Sequence, residues 1–166
     1  MATQPAVVDF LAWLDGHSNL ELAGRRATPT LERISAMVEL LGAPQRAYPL
    51  LHITGTNGKT SVTRMVARLL QFHGLSVGAY TSPHLERVNE RLTWEGEAVS
   101  DEALAEVLER VAAIEPYLSE PPSYFEILTA AAYRFFADVA VDVAVVELGW
   151  AGRGMPRTWP TGRWPW

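Results

Sequence analysis

Leu50-Leu51-His52-Ile53-Thr54-Gly55-Thr56-Asn57-Gly58-Lys59-Thr60-Ser61 is the stretch on which the reading of the chain turns. A short apolar run enters a glycine-rich turn carrying a lysine and hydroxyls, and a helical pattern follows through Val62, Met65, Val66, Leu69 and Leu70. A helix that opens from such a turn leaves its first backbone N–H groups unpaired and aimed at one spot, which favours a phosphate. Gly55 and Gly58 have no Cβ, so the backbone there can take positive φ and approach a ligand closely. Lys59 has the reach for β and γ oxygens, and Thr60 or Ser61 can offer a hydroxyl to Mg²⁺. The pattern Gly-x-x-Gly-Lys-Thr is shorter than the usual phosphate-loop spacing, but a strand before it and an amphipathic helix after it supply the required context.

The wording from Thr54 to Ser61 resembles the ATP loop of the Mur ligase superfamily. Thr81-Ser82-Pro83-His84-Leu85 with Asn89-Glu90-Arg91 is similar to the folylpolyglutamate synthase and dihydrofolate synthase branch, and the likeness runs over residues 5–149. The resemblance implies an α/β fold with a P-loop-containing, mostly parallel sheet flanked by helices, a Mur ligase-like ATPase domain incomplete at its C-terminus. It implies ATP and Mg²⁺ as cofactors, and dihydropteroate or folate with L-glutamate as substrates. The implied reaction is ATP-dependent amide formation: a substrate carboxylate attacks the γ-phosphate, and the glutamate amine displaces phosphate from the acyl phosphate.

Residue by residue, the resemblance implies ATP contacts from Gly55, Thr56, Asn57, Gly58, Lys59, Thr60 and Ser61, with Lys59 as the catalytic cation. Around the metal it implies Thr60, Ser61, Ser82 and Glu147. At the pterin or folate it implies Ser82, Pro83, His84, Arg91, Ser123, Tyr124, Phe125 and Glu126. The segment at Leu31-Glu32-Arg33, and Arg25-Arg26 before it, correspond to a border of that pocket, although adjacent loop arginines also suit a solvated surface.

Length and composition set outer bounds. A chain of 166 residues has room for one domain with a real core. A net charge of -5 gives no electrostatic footprint for nucleic acid. No window approaches the roughly 20 apolar residues of a membrane span. With no cysteine there are no disulfides or thiolate metal sites. Met1-Ala2-Thr3-Gln4-Pro5 carries no basic or apolar leader pattern, so the expected address is cytoplasmic. The parent is expected to be a monomer.

Taken in order, Val7, Val8, Leu11 and Leu14 predict a first helix that stops at Asp15-Gly16. Pro29-Thr30 opens a second, with Leu31, Ile34, Met37, Val38 and Leu41 inward and Gly42 at its end. Leu75 to Tyr80 predicts a strand parallel to the first, which places Thr81-Ser82-Pro83-His84 at the same carboxyl edge as Lys59. His84 suits a ligand or base and equally a hydrogen-bonded loop residue. Arg91-Leu92-Thr93-Trp94 and Glu95-Gly96-Glu97 predict a hairpin, and Ser100-Asp101-Glu102 caps a helix carrying Leu104, Val107, Leu108, Val111 and Ile114. The helix from Ser123 is expected to point Phe125, Leu128, Ala132, Phe135 and Phe136 inward. Val141 to Glu147 predicts a buried parallel strand ending in an acid, whose carboxylate is costly to bury unpaired and for which Mg²⁺ is a fitting partner.

The character changes at Trp150. Four of the six tryptophans fall between Trp150 and Trp166, without apolar periodicity. The family pattern after the acidic strand, Gly-x-Gly-Gly-Arg-x-Asp-Ala-Thr-Asn, stops matching at Gly149-Trp150-Ala151-Gly152. A compatible choice of codons read one base out of register returns Asp-Ala-Thr-Asn, with the alanine forced by Met155-Pro156. Residues 1–149 are therefore expected to be a truncated ATP-binding domain and 150–166 an out-of-frame tail without its own fold, the alternative being a natural Trp/Pro/Arg interaction arm. Two further expectations follow: the polypeptide alone makes no amide bond, and the strand ending at Glu147 is left as an unpaired apolar edge that promotes aggregation. Competing classes are another P-loop ligase of muramyl-peptide type, a small kinase, and a non-catalytic ATP-Mg²⁺ binding module.

Overall fold

The structure, a computed structural model, describes residues 5–19 and 31–147. The helix start at Pro29-Thr30, Arg25-Arg26 and the tail from Trp150 lie outside the described residues. The elements are α1 (Pro5–Asp15), α2 (Leu31–Leu40), β1 (Leu50–Ile53), α3 (Lys59–Phe72), β2 (Val77–Tyr80), β3 (Leu92–Trp94), β4 (Glu97–Ala98), α4 (Asp101–Ile114), α5 (Tyr124–Asp138) and β5 (Val143–Glu147). They fall into two compact units, residues 1–44 with 100–135, and residues 45–99 with 136–166.

The second unit holds a five-stranded sheet in the order β1-β5-β2-β3-β4. β5 pairs parallel with β1 and with β2, while β2–β3 and β3–β4 are antiparallel. The register sets Ile53 opposite Glu147 and Tyr80 opposite Val146, so the carboxyl ends of the three parallel strands finish level. Val143, Ala144, Val145 and Val146 are all buried, which is what a strand covered on both faces requires. The β3–β4 turn carries Glu95 and Gly96 at φ 53° and 82°, a two-residue hairpin with both central residues left-handed.

Two expectations change here. β5 is not an edge: it lies between β1 and β2, and among the described residues the outer strands of the sheet are β1 and β4. Strand order is a long-range property, and the spacing of β1, α3 and β2 gave no notice that a strand from far downstream would enter between them. The apolar set read along α3 also divides: Val66 and Leu70 face the sheet, while Val62, Met65 and Leu69 do not. Its buried residues are Thr63 and Ala67, with Val66 and Leu70 half-buried against Val77, Ala79, Val143 and Val145. Val62, Met65, Leu69 and Phe72 are 43%, 62%, 59% and 88% exposed. Small side chains let the helix approach the sheet closely, so the narrow face wins over the greasier one. On the opposite sheet face, a Cβ at Gly78 would collide with the Phe136 ring, so glycine is what lets that ring lie on the strand.

The first unit is helical. Leu14, Ile34, Met37, Val38, Leu104, Val107, Leu108 and Val111 are buried, as their spacing predicted, and each contributes about 1.5–3 kcal/mol on leaving water. Ser100 caps α4, its Oγ accepting the Ala103 N–H at 3.2 Å. Glu115, just beyond α4, accepts Trp13 Nε1–H and lies 2.9 Å from His17 Nε2, tying the end of α1 to it. α5 is buried more widely than the expected stripe: Tyr124, Ile127, Ala130, Ala131 and Tyr133 are covered along with Leu128, Ala132 and Phe135. No helix among the described residues is long and apolar enough to cross a membrane.

Candidate functional site

At the carboxyl edge of the sheet, β1 runs into the turn 54–58 and α3 begins at Lys59. Gly58 stands as the helix N-cap in the left-handed region, φ 74° and ψ 4°, a conformation only glycine adopts at no steric cost, and Gly55 also has positive φ. Among the described residues, the backbone N–H groups from Thr56 to Ser61 donate to no other protein group. They are the free donors of a helix start. Lys59 Nζ folds back onto the Gly55 carbonyl at 3.0 Å.

The Thr60 hydroxyl donates to Glu147 Oε2 at 2.8 Å, and the Ser82 N–H approaches the same oxygen at 3.4 Å. Glu147 is 2% exposed and Ser82 6%. Three strand ends thus meet at one buried carboxylate: the hydroxyl follows β1, the amide follows β2, and the acid closes β5. Ser61, the alternative hydroxyl, is exposed and makes no hydrogen bond to Glu147 among the described residues. Beneath the turn, His52 Nε2 is buried without a hydrogen-bond partner, and burial lowers the pKa of that imidazole below its ordinary 6.5.

The remaining residues singled out from sequence divide into two groups. Ser82, Pro83, His84 and Arg91 share the segment after β2, where the Ser82-Pro83 peptide is cis. Arg91 is 1% exposed and donates Nε–H to His84 Nδ1 at 2.9 Å, so that ring nitrogen serves as an acceptor within the loop. Ser123, Tyr124, Phe125 and Glu126 open α5. There the Ser123 N–H and Oγ–H both donate to Glu126 Oε2, at 2.8 and 2.7 Å, while Ser123 Oγ accepts the Glu126 N–H at 3.3 Å. This is a capping box, a signal carried by Ser-x-x-Glu that reading the aromatic stripe passes over. Arg33 adds Nε–H to both Glu126 oxygens, at 3.2 and 3.1 Å, and reaches Glu120 through Nη1. Of the four, Phe125 alone is only half-buried.

A cleft of about 340 Å³ lies on the α3 side of the sheet, lined by Arg64, Arg68, Gln71, Thr81, Glu90 and Thr93 among others. It shares no residue with the junction at Glu147. The described residues contain no cluster of three His, Asp or Glu side chains, so no all-protein metal cage exists among them.

The chain is 45% identical over 142 residues to dihydrofolate synthase/folylpolyglutamate synthase of Mycobacterium tuberculosis, covering 77% of this chain and 28% of that protein. It is 40% identical over 125 residues to folylpolyglutamate synthase of Lacticaseibacillus casei, covering 72% and 29%. The crystal structure of folylpolyglutamate synthase from Thermotoga maritima superposes with a TM-score of 0.78 at 38% identity, over 87% of this chain and 33% of that one. The chain belongs to the folylpolyglutamate and dihydrofolate synthase family. A second family structure, folylpolyglutamate synthase of M. tuberculosis complexed with ADP, gives a TM-score of 0.78 at 40% identity, over 87% and 32% of the two chains. The chain spans about three tenths of the length of these curated relatives. No family model matches it.

Proposed function

We propose that residues 54–61 are a phosphate loop and that the carboxyl edge of this sheet receives ATP with Mg²⁺ for a folylpolyglutamate or dihydrofolate synthase reaction. The observation that carries the reading is the convergence of Thr60 and Ser82 on the buried Glu147 carboxylate. Two chemical arguments support it. A run of free amides at a helix start favours the polyphosphate, and a single carboxylate with one hydroxyl is the kind of oxygen donor set that Mg²⁺ uses when phosphates and water complete its shell. A family structure holding ADP and another described as a complex with AMPPCP and folate point the same way.

In this proposal Gly55, Thr56, Asn57 and Gly58 present the backbone to the phosphates. Lys59, released from the Gly55 carbonyl, supplies the positive charge at the transferring group. Thr60 and Glu147 hold the metal, with Ser82 orienting the carboxylate and Ser61 in reserve at the loop's outer side. When bound, Mg²⁺ neutralises charge on the phosphates. The chain's own contribution is preorganised donors that need not rearrange as charge develops. Ser82, Pro83, His84, Arg91, Ser123, Tyr124, Phe125 and Glu126 are assigned to dihydropteroate or folate on the strength of the family likeness, and L-glutamate is the proposed second substrate.

We also propose a division at residue 149, with 150–166 read out of frame; the nucleotide sequence decides it, since the shifted frame must encode Asp-Ala-Thr-Asn and continue as a ligase. Calorimetry with ADP and Mg²⁺ tests the nucleotide reading. Micromolar binding that disappears in Lys59→Ala is expected, and unaltered binding in that variant defeats the proposal. Assays for ATP- and glutamate-dependent ligation by the chain alone are expected to read zero; turnover would reverse the expectation of inactivity.

A further inference from the structure

The segment joining β2 to β3 is laced from within by one side chain that has no part in the site as described. Glu90 accepts three consecutive main-chain N–H groups: Leu85 on Oε2 at 3.0 Å, then Glu86 and Arg87 on Oε1 at 3.1 and 2.9 Å. These same amides, led by those of Leu85 and Arg87, hold the carboxyl below its ordinary pKa of 4.5, and the nearby His84 adds to the effect. At the base of the loop, the Thr81 N–H donates to the Arg91 carbonyl at 2.9 Å and the Thr81 hydroxyl to the Glu90 carbonyl at 3.4 Å. Asn89 Nδ2 donates to the Val99 carbonyl at 2.9 Å, and the buried Arg91 holds His84. The result is a closed loop with the amides of residues 85–87 taken up from within and its ends pinned side by side.

Ser82 leaves the mouth of this loop, and its N–H meets Glu147 at 3.4 Å, the outer limit of a hydrogen bond. A contact at that distance survives only if its donor is held in place, since a shift of a few tenths of an ångström removes it. Ser82 belongs to no helix or strand, so the lacing between residues 81 and 91 is what holds it on its downstream side.

We infer that Glu90 is a positioning residue for the metal–nucleotide site: by fixing the amides of residues 85–87 it fixes the loop from which Ser82 orients the Glu147 carboxylate. The inference rests on the proposal that Glu147 and Thr60 receive Mg²⁺ with the nucleotide. Glu90 acts at a distance, through the loop. A role confined to local stability predicts a lower melting temperature and nothing at the metal, whereas positioning predicts a loss specific to Mg²⁺.

The test uses the full chain with Glu90→Gln and Glu90→Ala, read by thermal melting, by calorimetry with ADP in the presence and absence of Mg²⁺, and by the amide resonance of Ser82. Glu90→Gln keeps the shape but replaces one accepting oxygen by an NH₂ that opposes an N–H. Binding of ADP alone is expected to stay within about twofold of the parent, while the gain in affinity brought by Mg²⁺ falls about tenfold, the range typical of groups that orient a metal ligand. If Glu90→Ala does not fold, Glu90→Gln decides. A full Mg²⁺ gain in a folded Glu90→Gln protein overturns the inference. If the parent itself shows no Mg²⁺-dependent binding, the nucleotide proposal has failed, and the Ser82 amide then judges positioning by itself: a displaced resonance in Glu90→Gln supports it, an unmoved one ends it.

Discussion

The two loops at the carboxyl edge of the sheet reach Glu147 by opposite means. Residues 54–58 form a short turn shaped by glycines at positive φ, with its amides unspent and its lysine resting on a carbonyl. Residues 81–91 form a longer loop in which Glu90 takes up the amides of residues 85–87 and Arg91 is buried. One is built to be completed by something else; the other is complete already. An anion site benefits from both, because free donors need a neighbour that does not move when they are filled.

Thr60→Val tests the open side most severely. It deprives a buried carboxylate of its hydroxyl donor while keeping the shape of the side chain, and is expected to cost about 1–3 kcal/mol in a denaturant titration and to weaken the Mg²⁺-dependent part of ADP binding. An unchanged midpoint would mean that the Thr60–Glu147 bond does not organise the junction.

Acid separates the loops next, because they lose stability in different windows. Burial holds His52 below its ordinary 6.5 in the folded state, so as pH falls past 6.5 the unfolded chain takes up a proton that the folded chain does not. Stability on the β1 side therefore declines from that point downwards until the lowered folded value is reached. Glu90 has the opposite origin: its amide partners lower its pKa, so its contribution is whole above 4.5 and fades as pH drops through the lower folded value. Hydrogen exchange at about pH 7.5, 5.5 and 4, values that bracket those two windows, is expected to show β1 loosening first and residues 85–87 only at the lowest value. His52→Leu should flatten the upper window alone; if both loops respond together, the contrast between them fails.

Leu69→Lys should have the smallest effect. The side chain is 59% exposed on α3, so stability should move by less than about 0.5 kcal/mol and ADP binding not at all. Any loss of binding would show that the flank of α3 is coupled to the phosphate turn.

Much of this was legible in the residues themselves, through local chemistry. The turn residues of 54–58, the strand-ending acid at Glu147, the hairpin at Glu95-Gly96 and the Ser100 cap each follow from what a few neighbouring residues can and cannot do. What was hidden depends on distance. Nothing near Val143 says that β5 enters between β1 and β2, and α3 offers two apolar stripes of which periodicity alone prefers the larger. Arg91 reads as the first residue of a hairpin strand, and its charge gives no hint of its burial beside a histidine seven residues earlier. The Ser123–Glu126 box, by contrast, is within reach of local reasoning, and its job at the start of α5 is visible once the hydrogen bonds are traced.

Val62, Met65, Leu69 and Phe72 recur at steps of three and four along α3, and all four are uncovered. That is the spacing of a helix-pairing seam. In a tube it would make the preparation sticky: elution volume and scattering should both drift as the sample is concentrated, and a single lysine on that seam should calm them.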